Sequence, residues 1–298
     1  MSRWRSRFPV LAAALLAVPC VVWTCIATQH ASFEPLGRDQ GIFQYVGWAL
    51  SRGSRDYVDV HDINGPLVPL IHLLFLKLGG ADEHVFRWLD LLLFGSGALL
   101  FGAALPGVGD RAGESPARAS VAARVMWALA AWVVLSAGYF LFDWWSHAQR
   151  ESFFDDLIVP SIGLQLWAHR PGTSPRHRRV LFAIAGALGA LTWFGKPSCV
   201  VYSAIQALAI VADDELPGAA LAHLRAFCMG ALAACLPMLG LLAVYGDLTA
   251  CARIMLFDVW RLHRYIWHKS LLESYSAWNN GPKINYVLAT FALASLGI

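Results

Sequence analysis

"GPLVPLIHLLFLKLGG", residues 65–80, decides how this chain is laid out. It is as apolar as a membrane span and too short to be one. A helix that crosses a bilayer needs about 20 residues. This segment holds Pro66, Pro69 and His72 and stops at Lys77 and Gly79-Gly80. Counted as a span, it would place the loop "GDRAGESPARASVAAR" (109–124), with Arg111, Arg118 and Arg124, on the outer side of a membrane. Basic loops belong on the cytoplasmic side. Residues 65–80 therefore read as a juxtamembrane or re-entrant helix lying at the outer face.

The rest of the chain fits a membrane reading. It has 298 residues, 57% hydrophobic and only 14% charged, with mean hydropathy +0.52. Soluble domains carry about a quarter charged residues. The deficit and the long uncharged runs predict an all-α polytopic membrane protein. A formal net charge of +3 is too small to argue for nucleic acid, and the thirteen Trp suit interfacial anchoring. Cys20, Cys25, Cys199, Cys228, Cys235 and Cys251 form no CxxC or zinc-ligand spacing, so no disulfide framework or metal cluster is read from them. His61, His147, His263 and His268 likewise lack a ligand spacing, and no metal is assigned to them.

Arg3, Arg5 and Arg7 precede a first span at about 8–29, which puts the N-terminus in the cytoplasm. The apolar run is as long as a span and no A-x-A-like site follows it, so it reads as uncleaved. Further spans are expected at about 84–106, 125–142, 153–168, 180–195, 198–212 and 226–245. Residues 180–212 are too long for one crossing and turn at Gly195-Lys196-Pro197, because proline disfavours helix for the residue before it. An eighth span over 284–298 is cut short, which predicts a truncated chain. The outer loops are then 30–83, 143–152 and 246–283, in a single transmembrane domain over 1–298.

This layout gathers charged groups on one side. They are the aspartates of 37–67 (Asp39, Asp56, Asp59, Asp62), the stretch Gln149-Arg150-Glu151, the Lys196 turn and the 246–283 loop. Cations there could hold a lipid phosphate, and a carboxylate could take a proton from an acceptor hydroxyl. Singly, each group has a plainer reading. The loop acids can be solvated, Arg150 and Glu151 a local ion pair, and Lys196 a snorkelling side chain. The aromatics around Trp260 and Trp267 suit an interfacial belt.

The stretch "GRDQGIFQYVGWALSRG…YVDVHDINGPL" resembles the first extracytoplasmic loop of the GT-C superfamily. Its nearest branch is that of membrane glycosyltransferases related to protein O-mannosyltransferases and aminoarabinose transferases. "AQRESFF…VP" resembles a second-loop motif of bacterial members, and "GALGALTWFGKPS" resembles their Gly-rich helix ending in Lys. The three motifs occur in the family's order and cover most of residues 30–215. The resemblance implies a GT-C-like helix bundle with a cavity at the outer membrane face and a polyprenyl-phosphate-linked sugar as donor. It assigns Asp39 as general base, and Lys196 and Arg150 to the donor phosphate. Tyr45, Asp62, Glu151 and Asp155 are candidates for the cavity lining. It also implies residence in a bacterial inner membrane.

The sequence departs from the family at Asp155 and Asp156, where relatives usually carry apolar residues. Glu151 and Asp155 stand i, i+4 and would share a helix face, where they could bind Mg²⁺ or Mn²⁺. No cofactor is required by the reading. The donor sugar and the acceptor, whether glycan, lipid or protein, stay open. The alternatives are a transporter or flippase of a lipid-linked saccharide, and a non-catalytic assembly partner with the same fold. A transporter should carry ionisable residues within its spans, near the midplane.

Overall fold

The computed structural model describes residues 2–60, 62–106, 120–141, 147–170, 172–212, 219–259 and 261–262, with side chains from residue 17 onward. The expected eighth span, Trp260, Trp267, His61, His263, His268 and most of the 246–283 loop lie outside the described residues. The chain divides into a large unit, Met1–Cys251, and a smaller one, Ala252–Ile298. The described part of the smaller unit, residues 252–259 and 261–262, is helical and includes a π-helical turn, Ile254–Asp258, spanned by an exposed ion pair from Arg253 Nε to Asp258 Oδ2 (3.5 Å).

The described residues contain no strand, and most of those in the larger unit are helical. A long helix α1 (Ser2–Ala31) precedes two short ones, α2 (Arg38–Ser51) and α3 (Leu67–Gly79). Then come α4 (Glu83–Ala104), α5 (Val121–Phe140), α6 (Arg150–Ala168) and α7 (Pro175–Leu191). Two 3₁₀ turns, Thr192–Phe194 and Pro197–Cys199, flank an extended Lys196 and lead into α8 (Val200–Val211), α9 (Ala220–Tyr245) and α10 (Leu248–Arg253). Side chains start several of these helices. Asp82 accepts from the amides of His84 and Val85 at the head of α4, Ser120 caps α5, and Ser174 caps α7. Each cap satisfies amides that have no partner within the helix.

Three helices, α4, α5 and α9, are long and apolar enough to cross a membrane. At 1.5 Å per residue their 22, 20 and 26 residues span about 33, 30 and 39 Å, against a hydrocarbon core of about 30 Å. Helix α3 has 13 residues, so it reaches only about 20 Å. It packs along α2 instead of crossing. Large apolar side chains stand exposed on the long helices, among them Val121, Met126 and Val134 of α5 and Met229, Leu236 and Val244 of α9. Such faces are costly in water and cost nothing against lipid tails.

Contacts fix which helix ends lie together. His84 Nδ1 donates to Ser32 O (2.6 Å), so α4 begins where α1 ends. The Asp56 amide donates to Tyr245 O (2.7 Å), which brings the loop after α2 to the end of α9. At the opposite end Arg178 Nε donates to Ala168 O (2.8 Å), Arg170 donates to Ala103 O, and the Phe182 ring stacks on His223 at 4.9 Å. Helices α4 and α6 thus run from the first end to the second, and α5, α7 and α9 run back. The second end holds Arg124 and Arg170, both over the Trp167 ring.

An aromatic core under α2 and α3 ties the first end together. Phe43, Phe75, Phe86 and the fully buried Phe153 pack around His72. Helices α7 and α9 approach closely through glycine. A Cβ at Gly186 would overlap the Phe227 carbonyl oxygen, and one at Gly230 would overlap that of Ala183. Small residues at such a crossing let two backbones touch.

Candidate functional site

Helix α2 opens with a half capping box. The Gln40 side chain reaches back to accept from the Gly37 amide and also donates to the His147 carbonyl. Asp39 lies between these anchors, exposed in the first turn, where a helix dipole favours a carboxylate. Among the described residues its carboxylate makes no hydrogen bond or ion pair. Tyr45 also faces outward, 58% exposed and packed on Trp48 at 6.0 Å, while Phe43, Val46 and Leu50 turn into the core.

The other three aspartates build the loop between α2 and α3. Asp59 Oδ2 accepts from the Arg55 amide (2.7 Å). Buried Asp56 accepts from the Tyr57 amide (2.9 Å). Burial, aided by the charge of Asp62, pushes its carboxyl up from 3.8 to about 7 against the opposing Tyr57 N–H. Buried Asp62 accepts from the backbone and side-chain N–H groups of Asn64 at 2.9 and 2.7 Å, an Asx turn. Burial raises its carboxyl too, opposed by those bonds and by Arg150. Tyr57 takes a left-handed backbone (φ +66°) and donates its hydroxyl to Asn64 O (2.6 Å). That hydroxyl is pushed up by burial and by Asp56.

The start of α6 joins this loop. Arg150 Nη1 donates to Asn64 Oδ1 (2.6 Å), and its Nε and Nη2 both donate to Glu151 Oε1 (3.1 and 2.6 Å). Glu151 is 56% exposed, so the pair adds little stability. Asp155, one turn on, is exposed as well. The Lys196 turn comes to the same place. Gly65 lies against the carbonyl oxygens of Phe194 and Gly195, and Gly195 lies against the Phe154 ring. Lys196, Asp155 and Glu151 all lie within electrostatic reach of Cys199, and Lys196 itself is exposed. Asp62, Arg150, Glu151, Asp155 and Lys196 therefore share one neighbourhood. Asp39 and Tyr45 lie on the same end, one helix away.

A buried polar network under this surface involves residues that sequence reasoning passed over. Arg87 is 1% exposed. It donates to the carbonyls of Glu34 (3.2 Å), Pro35 (2.7 Å) and His147 (3.2 Å), and to Gln40 Oε1 (3.4 Å). The His147 ring bridges Glu34 Oε2 (2.8 Å) and Tyr139 O (3.0 Å) and stacks on the Tyr139 ring at 4.6 Å. The Tyr139 hydroxyl donates to Asp90 Oδ2 (2.6 Å) and accepts from the Ala148 amide (3.0 Å). Asp156 lies within electrostatic reach of Asp90, and neither of its carboxylate oxygens has a partner among the described residues. His72 donates from Nδ1 to Gln44 Oε1 (2.9 Å), and burial with the nearby Arg87 charge pushes it down to about 3. The signal was visible in the sequence: Arg87, Asp90 and Asp156 are charges inside apolar runs, costly and functional by default.

Among the described residues no three His, Cys, Asp or Glu side chains converge to hold a metal ion. The surface offers an exposed carboxylate on α2, a cationic rim of Arg150 and Lys196, and apolar helix faces beside them. No protein-family model, characterised protein or solved structure matches the chain.

Proposed function

We propose that this protein is a GT-C-type glycosyltransferase that moves a sugar from a polyprenyl-phosphate donor to an acceptor at the extracytoplasmic membrane face. One observation carries the reading. Four stretches far apart in sequence, around Asp39, Asp62, Arg150 and Lys196, meet at one end of a bundle whose long helices expose apolar faces. A lipid-borne anion needs such a place, with cations at the rim and hydrocarbon beside it. The two short helices α2 and α3, set between α1 and α4, suit the juxtamembrane pair that the family resemblance implies.

The chemistry is a direct displacement. Asp39, which no described residue engages, takes the proton of the acceptor hydroxyl. The acceptor oxygen bonds to the anomeric carbon as the bond to the donor phosphate breaks, and polyprenyl phosphate leaves. Lys196 and Arg150 neutralise the charge that develops on the phosphate. Asp62, Glu151, Asp155 and Tyr45 border the space. A divalent cation at Glu151 and Asp155 is optional to this scheme. The end bearing Arg124, Arg170 and Arg178 is cytoplasmic by charge, which orients the site outward in a bacterial inner membrane.

The charged groups inside helices favour a second reading, transport of a lipid-linked saccharide. Their depth argues against it. Asp90 is the eighth residue of α4 and Asp156 the seventh of α6, so each lies about 10 Å from the first end, in the outer half of its helix. Asp39→Asn in the full-length protein, assayed for sugar transfer from a polyprenyl-phosphate donor, tests the proposal. Turnover should fall about a hundredfold or more. Undiminished turnover in a well-folded variant removes the general-base assignment.

A further inference from the structure

Asp39 is exposed and no described residue holds its side chain, so its position depends on the backbone that carries it. That backbone is gripped from below. Residues 34–37 carry no regular structure, and the turn at 147–148 includes Ala148 in a left-handed conformation (φ +53°). Between them lies the guanidinium of Arg87, projecting from the second turn of α4.

We propose that Arg87 is the positioning residue for Asp39, a buried fork that fixes the start of α2 against the 147–148 turn. This rests on the reading of Asp39 as general base. The guanidinium meets acceptors on both segments: Glu34 O, Pro35 O and Gln40 Oε1 on one side, His147 O on the other. Gln40 closes the ring, because the side chain that accepts from Arg87 also accepts from the Gly37 amide and donates to His147 O. The Glu34–His147 bond ties the same two segments a second time. Asp39 is thus carried between Gly37 and Gln40, two residues locked into this ring.

The geometry demands arginine. A planar fork with five N–H donors can reach acceptors on two sides at once, whereas lysine offers one point charge on a flexible stem. The position is also expensive to leave unfilled. Without Arg87 the carbonyls of Pro35 and His147 lose a buried partner. Arg87 touches no reacting atom. It acts through Asp39, where a displacement of about 1 Å can cost about a hundredfold in rate.

The test is Arg87→Lys in the full-length protein in lipid nanodiscs. Amide hydrogen exchange is read by mass spectrometry, and sugar transfer is read as kcat and KM for a polyprenyl-phosphate sugar. The proposal expects amides 37–41 to exchange about tenfold faster or more while those of α7 and α9 hold. It expects kcat to fall by about tenfold to a hundredfold with donor KM within about twofold. Wild-type exchange at 37–41, or a loss confined to KM, overturns it. If Arg87→Lys fails to fold, Gln40→Met removes one link of the ring and is read the same way. Unchanged exchange at 37–41 in that variant also overturns the proposal. Asp39→Asn runs in parallel. Full turnover there discards the general-base role of Asp39 on which this proposal rests, while the exchange data still decide whether Arg87 clamps α2.

Discussion

Asp56 offers a pH test of how the acidic loop is built. Its carboxyl is buried beside Leu50, Pro66, Leu70 and Tyr245, held up to about 7 mainly by burial and then by Asp62. A folded carboxyl that binds its proton more tightly than the unfolded one stabilises the fold only while protonated. The contribution is fully present below the ordinary value of 3.8, declines as pH rises, and is gone above about 7. The gap between those values sets a ceiling of about 4 kcal/mol, and about 2–4 kcal/mol is a fair range. Asp56→Asn keeps an oxygen to accept the Tyr57 amide and cannot ionise. Thermal unfolding of the full-length protein, followed by tryptophan fluorescence from pH 4.5 to 8.5, reads the difference. The wild type should lose stability across this window. The Asn variant should show a flatter profile and be the more stable of the two above pH 7. Amide exchange at 55–60 should slow in the variant at pH 8, because the Asp56 amide bonds to Tyr245 O. An equal pH slope in both proteins, or a less stable Asn variant at pH 8, would refute the burial argument.

Two further substitutions probe the frame around the site. Phe153→Ala empties a fully buried position between His72 and Phe75 and should cost about 3–5 kcal/mol in denaturant or thermal unfolding. Gly65→Ala drives a methyl into the Phe194 and Gly195 carbonyls and so pushes the acidic loop away from the Lys196 turn. It should destabilise by about 1–3 kcal/mol and weaken donor binding, read as a raised KM. An unchanged KM would separate the loop from donor recognition.

What could be read from the sequence was what length and charge control. Residues 65–80 are too short and too interrupted to cross, and the structure has a 13-residue helix there lying along α2. A span expected near 84–106 has its counterpart in Glu83–Ala104, and the one near 226–245 in Ala220–Tyr245. The turn at Lys196 follows from Pro197, and Lys196 is extended (φ −151°) between two 3₁₀ turns. Other features depend on contacts that no local pattern encodes. Tyr57 and Ala148 take left-handed backbones without being glycine, and tertiary hydrogen bonds hold them there. The buried network rests on charges inside helices, with Arg87 and Asp90 one turn apart on α4, and its partners come from segments distant in sequence.

The division among the charged groups is then a division of labour by burial. Asp56 and Asp62 are buried, and each gives one carboxylate oxygen to N–H groups of the loop itself, so they shape the rim. Arg87, Glu34, His147 and Tyr139 are mostly satisfied by one another and by backbone carbonyls, so they hold the rim to the bundle. Asp39 and Lys196 have side chains that are exposed and committed to no described partner, the condition a group must meet to act on something outside the chain. A transporter would need the reverse, with uncommitted charges at depth and a satisfied surface. Among the described residues Asp156, inside α6, comes nearest to that demand, since neither of its oxygens has a partner. Asp156→Asn therefore separates the two readings. Under the glycosyltransferase reading it leaves sugar transfer within about threefold of wild type; under the transport reading it abolishes movement of the lipid-linked saccharide.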